Sequence, residues 1–530
     1  MGKIARITLL FIAIILIILP NLSRANISNA PSQPVNISSC ALINQSGYYI
    51  LTRDINASES MMCIMITVSN VVLDGAGHTI EGLGNYHTIG IYVKGSTTLT
   101  NVTVRNLTVK EWFHGIRYEN VIGGLIEDSM ITKNFGFGIF LSQSRNITIT
   151  GNAVDSNYCP GIFLHNSSDN TISDNSVSFN TEGISLSASS NSNLVLDNNA
   201  SSNTNRGITV TYSNNNTVSM NYIGRNIHEG IFLQEAGGNT ITKNNVISNG
   251  YHGINLYSSR QNIVTDNYVA LNRQDGIVLH SASQNVISGN TILENRFRGV
   301  SLWKSSGSNT VASNTIRANK DAGISIDSSN RNIIAHNNVG SNRYGVFLFN
   351  SNDNLIYDNY LNNTKNAQDN GENRWNIEKT AGTNIVGGPC LGGNYWSDYS
   401  GRDTDGDGFG NTMLPYTAGG NILHGGDYLP LVPVSENASC TPVTTTSTTS
   451  TVSPSSTASS IATSSTSTVS SSTTTPSKPT SSTTTPTTTS EGREGTASGT
   501  GGEKATICGP ALLLGLALIP FILRKLKGKR

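Results

Sequence analysis

Two groups of residues have types and spacings that could do chemistry. The first is periodic. The residue just before a recurring glycine reads Glu182, Arg206, Glu229, His252, Asp275 and Arg298 in successive repeats. The residue four after that glycine reads His165, Ser187, Thr211, Gln234, Tyr257, His280, Trp303, Asp327 and Phe349. Carboxylates beside an imidazole are the parts of general acid–base catalysis, so Glu229, His252 and Asp275 form the candidate catalytic set. Aromatic rings stack on sugar faces while charged groups orient hydroxyls, so Tyr257, His280, Arg298 and Trp303 form the candidate substrate-binding set. If the repeats stack as strands, Glu229 and Asp275 lie two layers apart, roughly 9–10 Å. That is near the upper limit for an inverting glycosidase pair. A charge ladder that only solvates a sheet is the competing reading, and for catalysis it is the favoured one.

The second group is local. Asp403, Asp405, Asp407 and Asn411 place oxygen side chains at positions 1, 3, 5 and 9 of a loop with Gly408 at position 6. The Phe409 carbonyl would supply position 7. These are the spacings of a calcium loop. The twelfth position is Leu414 rather than a bidentate Glu, so Asp398 or Asp427 would have to reach in. A structural Ca²⁺ is expected, with an acidic turn lacking metal as the alternative.

The elements that must position the first group follow from the period, since a fixed repeat decides the architecture. Gly followed by Ile or Val recurs at Gly90, Gly115, Gly138, Gly161, Gly183, Gly207, Gly230, Gly253, Gly276, Gly299, Gly323 and Gly345, mostly 23 residues apart. Within Gly276–Arg298, Ile277 and Leu279 alternate with Val278 and His280, and two further short strands follow around Val286-Ile287 and Thr291-Ile292. This predicts an all-β fold, a single-stranded right-handed parallel β-helix of about 12 coils. Each coil holds three short strands and three corners. Aliphatic columns fill the inside, such as Leu256, Leu279 and Leu302. Each such burial contributes roughly 1.5–3 kcal/mol before entropy. Three asparagine ladders run from Asn134 to Asn342, from Asn146 to Asn354 and from Asn152 to Asn359. Stacked amides can donate and accept along the axis. Asn and the recurring Gly both suit corners that need a left-handed backbone.

The ends bound the compartment. Residues 1–25 read as a signal peptide, with Lys3 and Arg6, an apolar run and Ser23-Arg24-Ala25 before the cleavage point. Residues 26–68 form an N-terminal cap, 69–365 the β-helix and 366–440 a C-terminal cap. Residues 441–506 are a Ser/Thr-rich stalk and spacer, too poor in apolar residues to fold. Residues 507–530 hold Cys508-Gly509-Pro510, an apolar run and a basic tail that stays cytoplasmic. Cys40 and Cys63 form a staple in an oxidising compartment; Cys390 and Cys440 can pair likewise, and Cys159 is left over as a buried thiol. Charged residues are only 13% and net charge is zero, which excludes a nucleic-acid partner. Sequons such as Asn36, Asn101, Asn106, Asn146, Asn166 and Asn437 are expected to carry sugar in part. Nothing in the sequence fixes an oligomeric state.

The repeat N-T-I-x-x-N-x-I-x-x-N-x-x-x-G-I-x-L resembles the NosD-like parallel β-helix proteins, whose wider group is named for carbohydrate binding and sugar hydrolysis. Ser69 to Ile80 resembles that family's opening coil, and Gly392 to Tyr399 its closing motif in archaeal surface members. The C-terminus resembles an archaeal sorting signal, which implies lipid attachment at Cys508 and tethering to the outer face of the cell membrane. The resemblance covers residues 38–433 and specifies the fold. It leaves activity open, because β-helices host enzymes, adhesins and accessory proteins alike. Catalytic motifs of β-helix epimerases and pectin lyases are absent. The name implies copper, but Met61, Met62, Cys63 and Met65 are the only soft residues close together, and they sit at the staple. Three readings therefore stand: a non-catalytic surface protein binding polysaccharide or envelope glycans, a polysaccharide lyase, hydrolase or epimerase, and a copper accessory protein.

Overall fold

The computed structural model describes residues 33–433 and Cys440. The segments read as signal peptide, stalk and sorting signal lie outside the described residues, as do Asn437 and Cys508. The chain winds as a right-handed parallel β-helix with three sheets of fifteen strands each. In one coil the strands are Ile277–His280, Val286–Ser288 and Thr291–Leu293. Each pairs in parallel with its equivalent one coil before and one coil after; Leu279, for example, faces Leu256 and Leu302. The glycine-led strands therefore share one sheet, stacked in sequence order. The solenoid extends further than the glycine marks: Val35–Ile37 and Ala41–Ile43 already open two of the sheets, and Tyr395–Trp396 closes the third. The segment read as an N-terminal cap thus contains the first coils.

The aliphatic columns are interior, with Leu256, Leu279, Ile287 and Ile292 fully buried. The asparagine ladders bond along the axis as expected, but their members do not take the left-handed backbone. The Asn267 side-chain oxygen accepts the backbone N–H of Asn244 (2.9 Å) and its amide (3.0 Å). Its own amide donates to Ile241 O, Thr265 O and Asn290 Oδ1 at 2.8–3.0 Å. Donor and acceptor capacity are both used. The left-handed residue is the one before a ladder member, whatever its type: Lys133, Phe179, Leu271 and Ala318 all have φ between 55° and 60°. Asn146 is corrected on this basis. It is exposed with φ 54°, and the ladder position belongs to Ile147, whose N–H donates to Asn170 Oδ1. Asn363, Asn373 and Asn394 extend the three ladders into the C-terminal region.

The recurring glycine is likewise needed for space, not for a left-handed backbone. A Cβ on Gly276 would lie 2.6 Å from Ile292 Cγ2 and 2.7 Å from the Gly299 carbonyl.

Cys40 pairs with Cys63, and Cys390 with Cys440. Cys159 is buried, but it is disulfide-bonded and not the thiol expected. The C-terminal region closes the core with Trp375 and Trp396, whose indole N–H groups donate to Asp369 (3.0 Å) and Asp427 (2.8 Å). Burial pushes the Asp427 carboxyl up to about 6. No helix among the described residues is long and apolar enough to cross a membrane.

Candidate functional site

The outward face of the glycine-led sheet carries three parallel columns. One precedes each glycine, and the others lie two and four residues after it. Stacking brings Glu229, His252 and Asp275 together in consecutive coils of the first column. They are nearly buried, at 5%, 7% and 1% exposure. Their bonds hold the column itself. The Asp275 N–H donates to His252 Nδ1 (3.3 Å). Asp275 Oδ1 accepts the Arg298 N–H (2.9 Å) and Oδ2 the Ser301 hydroxyl (3.0 Å). His114 repeats the pattern, accepting the Phe137 N–H at 3.2 Å. His114, His252 and Asp275 each cap the backbone of the next coil, whereas Glu229 accepts from the Arg206 and Asn255 side chains.

Electrostatics separate the carboxylates. Burial raises Asp275 to about 6, against the pull of Arg298. Burial is also the largest influence on Glu229, but Arg206 at 2.9 Å together with hydrogen bonds from its own N–H and from Asn255 leaves this carboxyl below its ordinary value. Burial lowers His252 to about 4, so its imidazole is neutral near pH 7.

The predicted substrate-binding residues also meet. The Tyr257 and His280 rings are 4.8 Å apart, and His280 and Trp303 are 6.2 Å apart. The Arg298 guanidinium lies 5.8 Å from the Trp303 ring.

Missing from the sequence reading was the column two after each glycine, which forms the floor. It runs through Arg117, Phe140, Phe163, Thr209, Asn255, Ser301 and Ser325. Its signal was present, since these residues alternate with the buried Ile and Leu of the same strand. At one end Phe137, Phe140 and Phe163 stack at 4.5–5.3 Å, flanked by His114. Buried polar atoms normally find partners. Here Arg117 Nε, His165 Nδ1, Asn255 Oδ1, Trp303 Nε1 and Ser325 Oγ have none among the described residues, and all five belong to the floor or the column beside it.

The acidic loop brings three carboxylates together. Asp403, Asp405 and Asp407 offer ligand atoms within 4.8 Å of one another, the only such trio of His, Cys, Asp or Glu among the described residues. Asp407 also faces Lys379 Nζ at 2.6 Å, and Asn411 Oδ1 accepts the Thr404 N–H. Phe409 is buried in the cap. Asp398 and Asp427 do not join the loop: Asp398 accepts from Tyr416 and Asn366, and Asp427 accepts the Asn394 N–H and the Trp396 indole.

A family model described as periplasmic copper-binding protein (NosD) matches residues 25–199, 157–273 and 243–401. The chain belongs to this family. A comparison with curated proteins found no match. Among solved structures, the periplasmic alginate epimerase AlgG is similar at 17% identity and TM-score 0.38, covering 52% of this chain and 76% of that one. The A-module of Azotobacter vinelandii mannuronan C-5 epimerase AlgE4 is similar at 16% identity and TM-score 0.43, covering 57% and 86%. DFA-IIIase from Arthrobacter chlorophenolicus is similar at 13% identity and TM-score 0.35, covering 62% and 83%. Likenesses at this level say nothing about activity.

The copper in the family's name does not fit the described residues. Cys63 is locked in a disulfide and Met61 is exposed. The Asp403 trio is a hard oxygen set, suited to calcium or magnesium and not to copper.

Proposed function

We propose that this protein binds a glycan along the outward face of its glycine-led sheet, without cleaving it. The observation that carries the reading is the concentration of unpartnered buried polar atoms on that face, beside half-exposed aromatic rings. A buried donor or acceptor without a partner costs free energy; a ligand hydroxyl supplies the missing bond, and Tyr257 and Trp303 supply ring faces. The Glu229, His252 and Asp275 column is structural in this reading: His252 and Asp275 cap backbone N–H groups of the next coil, and Glu229 holds Arg206. Screening the purified protein on a glycan array, with Trp303→Ala beside it, tests the proposal. Selective binding that Trp303→Ala abolishes supports it. An array on which the wild type binds nothing contradicts it.

One observation favours an enzyme as the second reading. The environments of Asp275 and Glu229 push their carboxyls in opposite directions, as a general acid and a general base require. Release of reducing ends from a bound polysaccharide, abolished by Glu229→Gln or Asp275→Asn, would replace the binding reading with this one.

We further propose Ca²⁺ at Asp403, Asp405 and Asp407, with the chain displayed on the outer cell surface through its stalk and C-terminal apolar run. Lys379 already supplies one countercharge, so the metal would add to an assembled loop. A melting temperature raised by Ca²⁺ in wild type and unchanged in Asp405→Asn is the expected result.

A further inference from the structure

The corner that leads into the glycine-led sheet changes character along the axis. The residue after each member of the first asparagine ladder is Phe135, then Tyr158, in the early coils. In later coils it is Arg273, Arg296, Lys320 and Arg343. Their register is fixed by the stack: the Arg296 N–H donates to the Asn272 carbonyl and the Lys320 N–H to that of Asn295. Four cations therefore stand in single file, ~4.8 Å apart per coil. All four side chains are exposed, and among the described residues none pairs with a carboxylate. Asp321, the nearest acid in sequence, is taken by Arg298 at 3.3 Å. The chain is neutral overall, yet residues 271–345 hold eight Lys and Arg against four Asp and Glu.

Two independent features mark the same coils as a contact surface. Trp303 Nε1 and Ser325 Oγ, both buried and unpartnered, lie on the floor or beside it in these coils. Residues 216–361 also contain 26 asparagines and not one Asn-x-Ser/Thr sequon. Exposed sequons occur on both sides, at Asn199 and Asn215 before the stretch and Asn362 after it. Sugar attached within this stretch would obstruct a docked chain.

We infer that the coils from Tyr257 to Arg343 form a track for a linear anionic glycan, with its carboxylates or sulfates on the cation file and its sugar faces on Tyr257 and Trp303. This rests on the glycan-binding reading and adds the charge of the ligand. A single file suits one extended chain, whereas a membrane plane would need several columns of cations. The neutral whole chain offers no field to gather a nucleic acid.

The test is binding of the full-length protein to polygalacturonate and dextran sulfate, each beside its uncharged counterpart, methyl-esterified polygalacturonate and dextran. Single-stranded poly(dT) is the polyanion control. Expected is selective binding of one anionic glycan that weakens with salt. It should fall roughly tenfold in the exposed double variant Arg296→Gln/Lys320→Gln, with melting temperature unchanged. The carboxylate and sulfate arms say which anion is held. Preference for the neutral forms overturns this inference and leaves the glycan face standing. Binding to none of these glycans sinks both. Equal affinity for poly(dT), or a double variant that binds like wild type, overturns the anionic track.

Discussion

Asn267 and Asn255 are the same residue type in one coil, and their bonding is opposite. Asn267 lies in a corner ladder and uses its whole amide on backbone and on other ladder members. Asn255 lies on the outward floor of the glycine-led sheet, where its oxygen has no partner and its amide makes one long contact, 3.4 Å, to Glu229. Both are nearly buried, at 1% and 8% exposure. A saturated polar column belongs to the scaffold, while an unsaturated one is poised for something outside the chain. That contrast separates structure from function in a molecule where asparagine is everywhere.

The sharpest way to break the comparison is to truncate both residues. Asn267→Ala strands the N–H and amide of Asn244 and should cost about 3 kcal/mol or more. Asn255→Ala removes an already unpartnered oxygen and should change stability by less than ~1 kcal/mol. Urea unfolding of the two variants measures both; equal losses would erase the distinction. Gly276→Ala comes next in size. Its Cβ meets a core side chain and a carbonyl at under 3 Å, so a loss of about 1–3 kcal/mol is expected. A stabilised Gly276→Ala would show that close approach is not what selects glycine there.

A pH series sharpens the picture at the two buried carboxyls. Asp275 and Asp427 are each raised to about 6 by burial. The folded state holds these protons more tightly than the unfolded chain. Stability is therefore fully present below about pH 4 and is lost as pH rises through about 6, on the order of 3 kcal/mol per carboxyl. The lowered carboxyls Asp74, Glu119 and Glu229 act oppositely, below pH ~4.5. The buried imidazoles of His114 and His252, lowered by burial to about 3 and about 4, oppose the raised carboxyls because the unfolded chain takes up their protons below about pH 6.5. The change in melting temperature from pH 7 to pH 5 should therefore be more positive in wild type than in Asp275→Asn, and equal changes would mean that this carboxyl is solvated.

Much of this was legible in the sequence because a period of 23 forces equivalent residues into one column. Leu256, Leu279 and Leu302 could only be an interior stack, and Tyr257, His280 and Trp303 only an exterior one. Non-periodic contacts left no such trace. The Trp375–Asp369 and Trp396–Asp427 bonds join an irregular cap. The left-handed corner falls on Phe179 or Leu271 as readily as on a polar residue, because the ladder bonds impose it. Asn146 was misassigned for that reason. The floor column escaped notice because its chemistry varies from Arg to Phe to Ser, and only the geometry shows these residues sharing one face.

Trp303 offers the most direct test of the central claim. The chain has four tryptophans; Trp112, Trp375 and Trp396 are buried, so Trp303 alone reports on the outward face. Titrating the protein with a glycan it retains should shift or quench tryptophan emission saturably, and the change should vanish in Trp303→Phe. Saturable glycan binding that leaves the Trp303 emission untouched would place the ligand elsewhere and contradict the account.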